Sequence, residues 1–317
     1  MFTHELRLSA HSRQALHSLV DEIDAVPPTE DALYAAMPTL VTRLPAELVE
    51  KVLAFRESRT HDALVVRGLP LGAMAAMPTP PDAYTASRAV HGFAAVGIAA
   101  LGLLGTPFAY RGQQNGRLVN NISPMSTTAG MSDVGTGSHL PFDLHSEDAF
   151  MLNPPSFLQL SCVRNPLRVP TTVSGLYSGD LDAGTFDELR KPEYLVRTNP
   201  AQTGWDEERL RPGPVVWGHR DRPLLRYNSK RTASTTASPG AAAALDVLRK
   251  VLTRNAEDAY LSSGDFLAIN NYRLCHARRS FNARFDGSDR WLLRTVAYRD
   301  PYVVEDGMRH DGYPVLS

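Results

Sequence analysis

Two histidines and a glutamate are the residues of this chain whose types and spacing could do chemistry. The stretch LPFDLHSEDAF, residues 140–150, sets His145 and Glu147 two positions apart, just ahead of Ala149 and Phe150. In a strand, residues i and i+2 share a face, so this spacing presents an imidazole and a carboxylate side by side. The bare pair is common on protein surfaces, and two ligands do not hold a reactive metal. A third must come from elsewhere; His276, in NNYRLCHARRSF, follows a strand-like run and precedes Phe281. Two imidazoles and one carboxylate on one face of an octahedron leave the opposite positions open, an arrangement suited to non-haem Fe(II) and oxygen activation.

Beyond His276 the chain reads SFNARFDGSDRWLLR. Alternation puts Arg290, Leu292 and Arg294 on one strand face and Trp291 and Leu293 on the other. Two arginines on a pocket-lining face require anionic partners, because an unpaired buried charge is costly, and a guanidinium matches a carboxylate bidentately.

The elements that would position these groups fall into three parts. Residues 11–60 have helical spacing, with Leu16, Leu19, Val20 and Ile23 on one stripe and Leu48, Val49, Val52, Leu53 and Phe55 on another. A short strand, ALVVR at 63–67, and a Pro-rich loop at 77–84 follow. The segment from Ala89 to Leu104 is too short for a membrane span and contains His91, so it is expected to be a buried helix in which His91 is a hydrogen-bonded core residue. After Pro107, short apolar runs alternate with turn residues, the pattern of antiparallel β-structure. Ser238 and Pro239 open one late helix that runs to Asn255. The expected organisation is one domain over 1–317, with a helical N-terminal region (1–105) on a β core (106–317). Weak periodicity at about 180–235 reads as long loops that could act as a lid.

Composition narrows the partners. The 33 Lys+Arg against 34 Asp+Glu give no basic field for nucleic acid or anionic lipid, so small molecules are the expected ligands. Cys162 and Cys275 make neither a disulfide framework nor a zinc motif, and the first residues lack the pattern of a signal peptide, so a cytoplasmic setting is expected.

The combination LHSEDAF, PTTVSGLY and DFLAINNYRLCHARRSFNARFDGSDRWLLR resembles the clavaminate synthase-like group of Fe(II)/2-oxoglutarate-dependent oxygenases, which includes β-hydroxylases of free arginine and asparagine. The resemblance spans roughly residues 108–300. It implies a double-stranded β-helix, or jelly roll, mainly β with outer helices, and His145, Glu147 and His276 as iron ligands. It implies Arg290 and Thr172 for the far carboxylate of 2-oxoglutarate, Arg294 for the substrate α-carboxylate, and Gln114, with Gln113 as the alternative, for the α-amine. Fe(II), 2-oxoglutarate and O2 would be the cofactor and co-substrates.

The chain departs from the group's pattern at Ala277, where glycine is usual, and at Asn270-Asn271, where Asp-Asn is usual; neither is expected to bear on the metal. Retention of Glu147 favours hydroxylation over halogenation. In the guanidino-acid hydroxylases acidic residues hold the cationic side chain. The matching positions here are Asn228 and Lys230, so Lys230 or Arg231 would repel a cation and a neutral or anionic substrate side chain is expected. Asp180 or Asp182 remain as alternatives for a cationic one. The expected activity is β-hydroxylation of a free L-amino acid; desaturation, cyclisation, a carrier-tethered substrate and a non-catalytic metal-binding jelly roll are the alternatives.

Overall fold

The N-terminal stripes form helices because their ends are capped and their apolar faces have a sheet to cover. In chain order the first elements are β1 (Thr3–Arg7), α1 (Ala10–Ala25), α2 (Glu30–Thr42), α3 (Ala46–Arg56), β2 (Ala63–Arg67) and α4 (Gly92–Gly102). The Ser9 and Thr29 hydroxyls accept the amides of Ser12 and Ala32 and so cap α1 and α2. The computed structural model describes residues 1–132, 134–199, 208, 210–307 and 312–316. Among these, no helix is long and apolar enough to cross a membrane. Instead α4 is buried along nearly its whole length, and His91 just before it bonds Asp24 at 3.1 Å.

The chain continues through β3 (Thr106–Tyr110), β4 (Asn120–Ile122), β5 (Phe142–His145), β6 (Phe157–Arg164) and β7 (Thr171–Gly175). Then come α5 (Ala183–Leu189), β8 (Tyr194–Val196), β9 (Val216–His219), β10 (Arg222–Leu225), β11 (Thr232–Ser234) and α6 (Pro239–Arg254). The last elements are β12 (Glu257–Ala259), β13 (Phe266–Asn270), β14 (Leu274–Arg278), β15 (Trp291–Tyr298) and β16 (Val315–Leu316). Two sheets face each other as a jelly roll. The larger has the order β1-β2-β13-β6-β15-β3-β16, with β4 also on β15, and the smaller has the order β12-β7-β14-β5.

Alternation along the large sheet assigns its two faces. Val65, Leu267, Ile269, Leu292 and Val296 join Val173 and Leu274 of the small sheet in the inner core. Their neighbours Leu64, Val66, Phe266, Ala268, Leu293 and Ala297 pack outward under α1, α3 and α4. The small sheet's outer side is covered by α5 and α6, and Cys275 lies in that layer rather than in the site.

Two expectations need correction. The N-terminal region is not only helical: the strand expected at 63–67 is β2, paired to β13 in the large sheet, and β1, which was not expected, pairs with it. The 180–235 region is not a run of loops, since α5 and four short strands lie in it; residues 200–207 and 209, part of the expected lid, fall outside the described residues. The apolar run GPVVWGHRD at 213–221 does become β9, whereas β8, β10 and β11 were not expected, because three or four residues are too few to show periodicity.

Asp265 joins the N-terminal strands to the core. Its carboxylate accepts from Arg67 at 2.7 Å, the Gly68 amide at 3.1 Å and the Ser262 amide at 2.8 Å. Removing it leaves two amides without this acceptor and takes one of two carboxylates from the partly buried Arg67, which keeps Glu5. Asp265→Ala is expected to lower unfolding stability by about 3 kcal/mol, measured by urea titration. Circular dichroism and tryptophan fluorescence should lose signal in a single coincident transition; separate transitions would mean that residues 1–105 fold independently.

Candidate active site

His145 is the last residue of β5 and stands in register with His276 on β14, their ring centroids 4.2 Å apart. Glu147 lies beyond the strand, and two bonds hold the chain there: the Ser146 amide donates to the Tyr227 carbonyl and the Glu147 amide to Asn271 Oδ1, both at 2.7 Å. The side chain thus returns to the histidines' side although β5 has already ended. Glu147 Oε2 is 3.6 Å from His276 Nε2, and one ligand atom from each of the three residues lies within 4.8 Å of the others.

Electrostatics sets these groups in the forms a metal needs. Burial lowers both histidines, His276 to about 3, so each imidazole is neutral near pH 7. Burial alone would raise Glu147, but the Arg294 guanidinium outweighs it and keeps the carboxyl well below its ordinary value. His145 Nδ1 bonds the Asp143 carbonyl at 2.7 Å, which leaves Nε2 to carry the lone pair. Two neutral imidazoles and one carboxylate match Fe(II).

A cleft of about 1120 Å³, its open mouth included, surrounds the triad. Arg290, Leu292 and Arg294 line it from β15, while Trp291 and Leu293 pack outward. The two arginines differ. Both terminal nitrogens of Arg294 are fully used: Nη1 donates to Gln113 Oε1 and Asn120 Oδ1, both at 2.8 Å, and Nη2 donates to Glu147 Oε1 at 2.8 Å and Asp148 Oδ2 at 3.1 Å. These carboxylates raise its pKa despite burial. Arg290 is 5% exposed, makes a 3.4 Å bond to Thr171 Oγ1, and its Nε has no partner among the described residues. Burial lowers it to about 10. A buried guanidinium that faces a cavity and has no carboxylate partner among the described residues is a site for an anion.

Four expected contacts are not found as anticipated. Thr172 points to the outer face of β7, where its hydroxyl donates to Asp258 at 2.7 Å; the hydroxyl beside Arg290 belongs to Thr171. A one-residue shift in a strand reverses the face. Gln114 lines the cleft, where its amide donates to the Asn121 carbonyl and accepts the Asn121 amide, and Gln113 is the glutamine that bonds Arg294 and Asp148. Asn228 lines the cleft and bridges to His145, whereas Lys230 does not line it and turns to Asp143 at 2.9 Å and Ser132 at 3.0 Å. Asp180 and Asp182 are outside the cleft, Asp180 bonded to Arg254 and Asp182 capping α5.

The family model described as taurine catabolism dioxygenase TauD, TfdA family, matches residues 34–296. The chain belongs to this dioxygenase family. It is 33% identical to an L-asparagine oxygenase of Streptomyces coelicolor over 85% of this chain and 81% of that one. It is 28% identical to an enduracididine beta-hydroxylase of Streptomyces hygroscopicus, covering 93% and 94%. The non-heme iron oxygenase OrfP, solved with Fe, succinate and (3S)-hydroxy-L-Arg, superposes with a TM-score of 0.90 at 27% identity over 99% of this chain and all of that one.

Two lining residues of this TauD/TfdA-family chain were missed in the sequence. Arg278 shares the face of His276 by the same i, i+2 rule that paired His145 with Glu147. Its guanidinium bonds the carbonyls of Ser138, Arg279 and Leu140, anchoring the approach to β5. Asp148 follows Glu147 and has φ +49°, a backbone state with no sequence signal in an aspartate. For a carboxylate co-substrate held by Arg290, Arg290→Leu is expected to raise the 2-oxoglutarate KM at least about 30-fold, the effect of removing about 2 kcal/mol of a buried charge pair. Thr171→Val should raise the same KM, while Thr172→Val leaves it unchanged. Initial rates of succinate formation against 2-oxoglutarate concentration check all three, and the reverse threonine order would restore Thr172.

Proposed function

We propose that this dioxygenase hydroxylates a free L-amino acid at its β-carbon, using Fe(II), 2-oxoglutarate and O2. The observation that carries the reading is Arg294, buried between the metal-side carboxylate Glu147 and Asp148. This arrangement offers a cation to an α-carboxylate and an anion to an α-ammonium within one bonded cluster.

His145, Glu147 and His276 would hold the iron. Arg290, helped by the Thr171 hydroxyl, would take the far carboxylate of 2-oxoglutarate. When bound, iron and 2-oxoglutarate supply the oxidising power, placing one atom of O2 in succinate and the other in the product, with loss of CO2. The chain's own contribution is placement. Arg294 exchanges part of its bonding for the substrate carboxylate, and Gln113 Oε1 and Asp148 lie beside it for the ammonium. Holding both backbone charges leaves the α–β bond as the first part of the side chain to face the triad. Phe142, Ile122, Leu160 and Leu292 supply apolar wall that keeps water from the reacting carbon.

The side-chain end of the cleft supports a neutral or anionic group. Asn228 Oδ1 already accepts the amides of Lys230 at 3.0 Å and Arg231 at 3.1 Å, so hydrogen-bond donors are what its amide can still offer. Arg197 lines the same cleft. Among the described lining residues the carboxylates are Glu147 and Asp148, both bonded to Arg294. A side chain ending in an acceptor, carboxamide or carboxylate, suits these groups. The two buried free thiols, Cys162 and Cys275, suit a reducing cytoplasm.

The test is succinate formation with Fe(II) and ascorbate across a panel of L-amino acids, with product masses read in parallel and His145→Ala as the control. One amino acid with an acceptor-ended side chain should give one succinate per product and a mass gain of one oxygen, lost in the control. Turnover of lysine or arginine alone would overturn the side-chain assignment, loss of two hydrogens would indicate desaturation, and silence across the panel would overturn the free amino acid.

A further inference from the structure

We propose that Asn271 is a positioning residue that sets the carboxylate ligand Glu147 against the strand carrying His276. The proposal rests on reading His145, Glu147 and His276 as metal ligands. Asn271 lies in the turn between β13 and β14 and is completely buried. Its Oδ1 accepts the Glu147 amide at 2.7 Å, and its Nδ2 donates to the Glu147 carbonyl at 3.0 Å and to the Pro155 carbonyl at 2.8 Å. The Asn271 amide in turn donates to the Ser156 carbonyl at 2.9 Å.

The position explains the device. The β5–β14 ladder runs through His145 and His276 and goes no further toward Glu147, because β5 ends at His145. Glu147 would otherwise leave a buried amide and carbonyl without sheet partners, which is costly. The Asn271 carboxamide presents one acceptor and one donor much as a strand's peptide group does, and so continues the ladder with a side chain. Its orientation is fixed, because a flipped amide would oppose donor to donor and acceptor to acceptor. Asp148, the next residue, has φ +49°, so the chain turns sharply away immediately after the clamp. The bracketed residue is the ligand itself, and the side chain that brackets it begins five positions before His276, so one carboxamide links two of the three ligands.

Aspartate at 271 keeps the acceptor but loses both donations and faces two carbonyls; serine or alanine loses the clamp altogether. Anaerobic Co(II) titration of the full chain, read by visible absorption, measures metal affinity and ligand geometry without turnover. Asn271→Asp and Asn271→Ser are each expected to weaken Co(II) about 10- to 100-fold, the usual effect of removing a partner that orients a metal ligand, and to alter the ligand-field bands. They should also raise the succinate formed per hydroxylated product. Asp265→Ala, which removes a side chain at the opposite end of β13 from Asn271, controls for general loss of stability and should retain affinity and bands. If the Asn271 variants, titrated on their folded fraction, bind Co(II) with wild-type affinity and spectrum, or do no more than Asp265→Ala, the positioning role is wrong. If wild-type protein binds no Co(II), the ligand reading itself falls, and this proposal with it.

Discussion

A guanidinium buried between two carboxylates is the constraint from which the site follows. Arg294 must be neutralised where it lies, because its position on β15 removes it from water. Its four partners come from separate parts of the chain: Gln113 from the turn after β3, Asn120 from β4, and Glu147 and Asp148 from the segment beyond β5. Satisfying one cation therefore fixes three segments relative to one strand. The same bonds keep Glu147 ionised, so the group that organises the cavity wall also prepares the carboxylate for a metal.

Arg290, four positions earlier on the same face, is the counterexample that gives the cleft direction. It is as deeply buried, yet Thr171 supplies one long bond and, among the described residues, no carboxylate neutralises it. A fold retains such a group when surrounding strands hold it and a ligand supplies the missing charge. The cleft accordingly has one end where arginine and acids are already matched and another where a cation awaits an anion. An amino acid brings both charges to the first end, and a dicarboxylate brings one to the second.

Much of this was legible locally. Period-2 alternation assigns Arg290, Leu292 and Arg294 to the cavity and Trp291 and Leu293 to the helical layer, and would equally have found Arg278. It did not separate Thr171 from Thr172, since a run of two threonines carries no mark of which hydroxyl faces inward. Nor did it separate Gln113 from Gln114, because Gln114 and Asn115 both have positive φ and lie outside any regular period. Asn271 was set aside for a simpler reason: hydrogen bonds from a side chain to distant backbone leave no pattern in sequence.

The sequence by itself determined the ligand types, the antiparallel β character after Pro107, the buried rather than spanning helix at 92–102 and the anionic demand of the β15 face. These follow from residue chemistry and periods of two or 3.6, which act over a few positions. Only the tertiary structure decided that β1 and β2 belong to the large sheet, that Lys230 turns to Asp143 instead of the cleft, and that Arg294 rather than Arg290 is already matched. Each of these depends on segments tens to hundreds of residues apart meeting in one register. That meeting is settled by the simultaneous burial of two sheet faces and the satisfaction of every charge trapped between them.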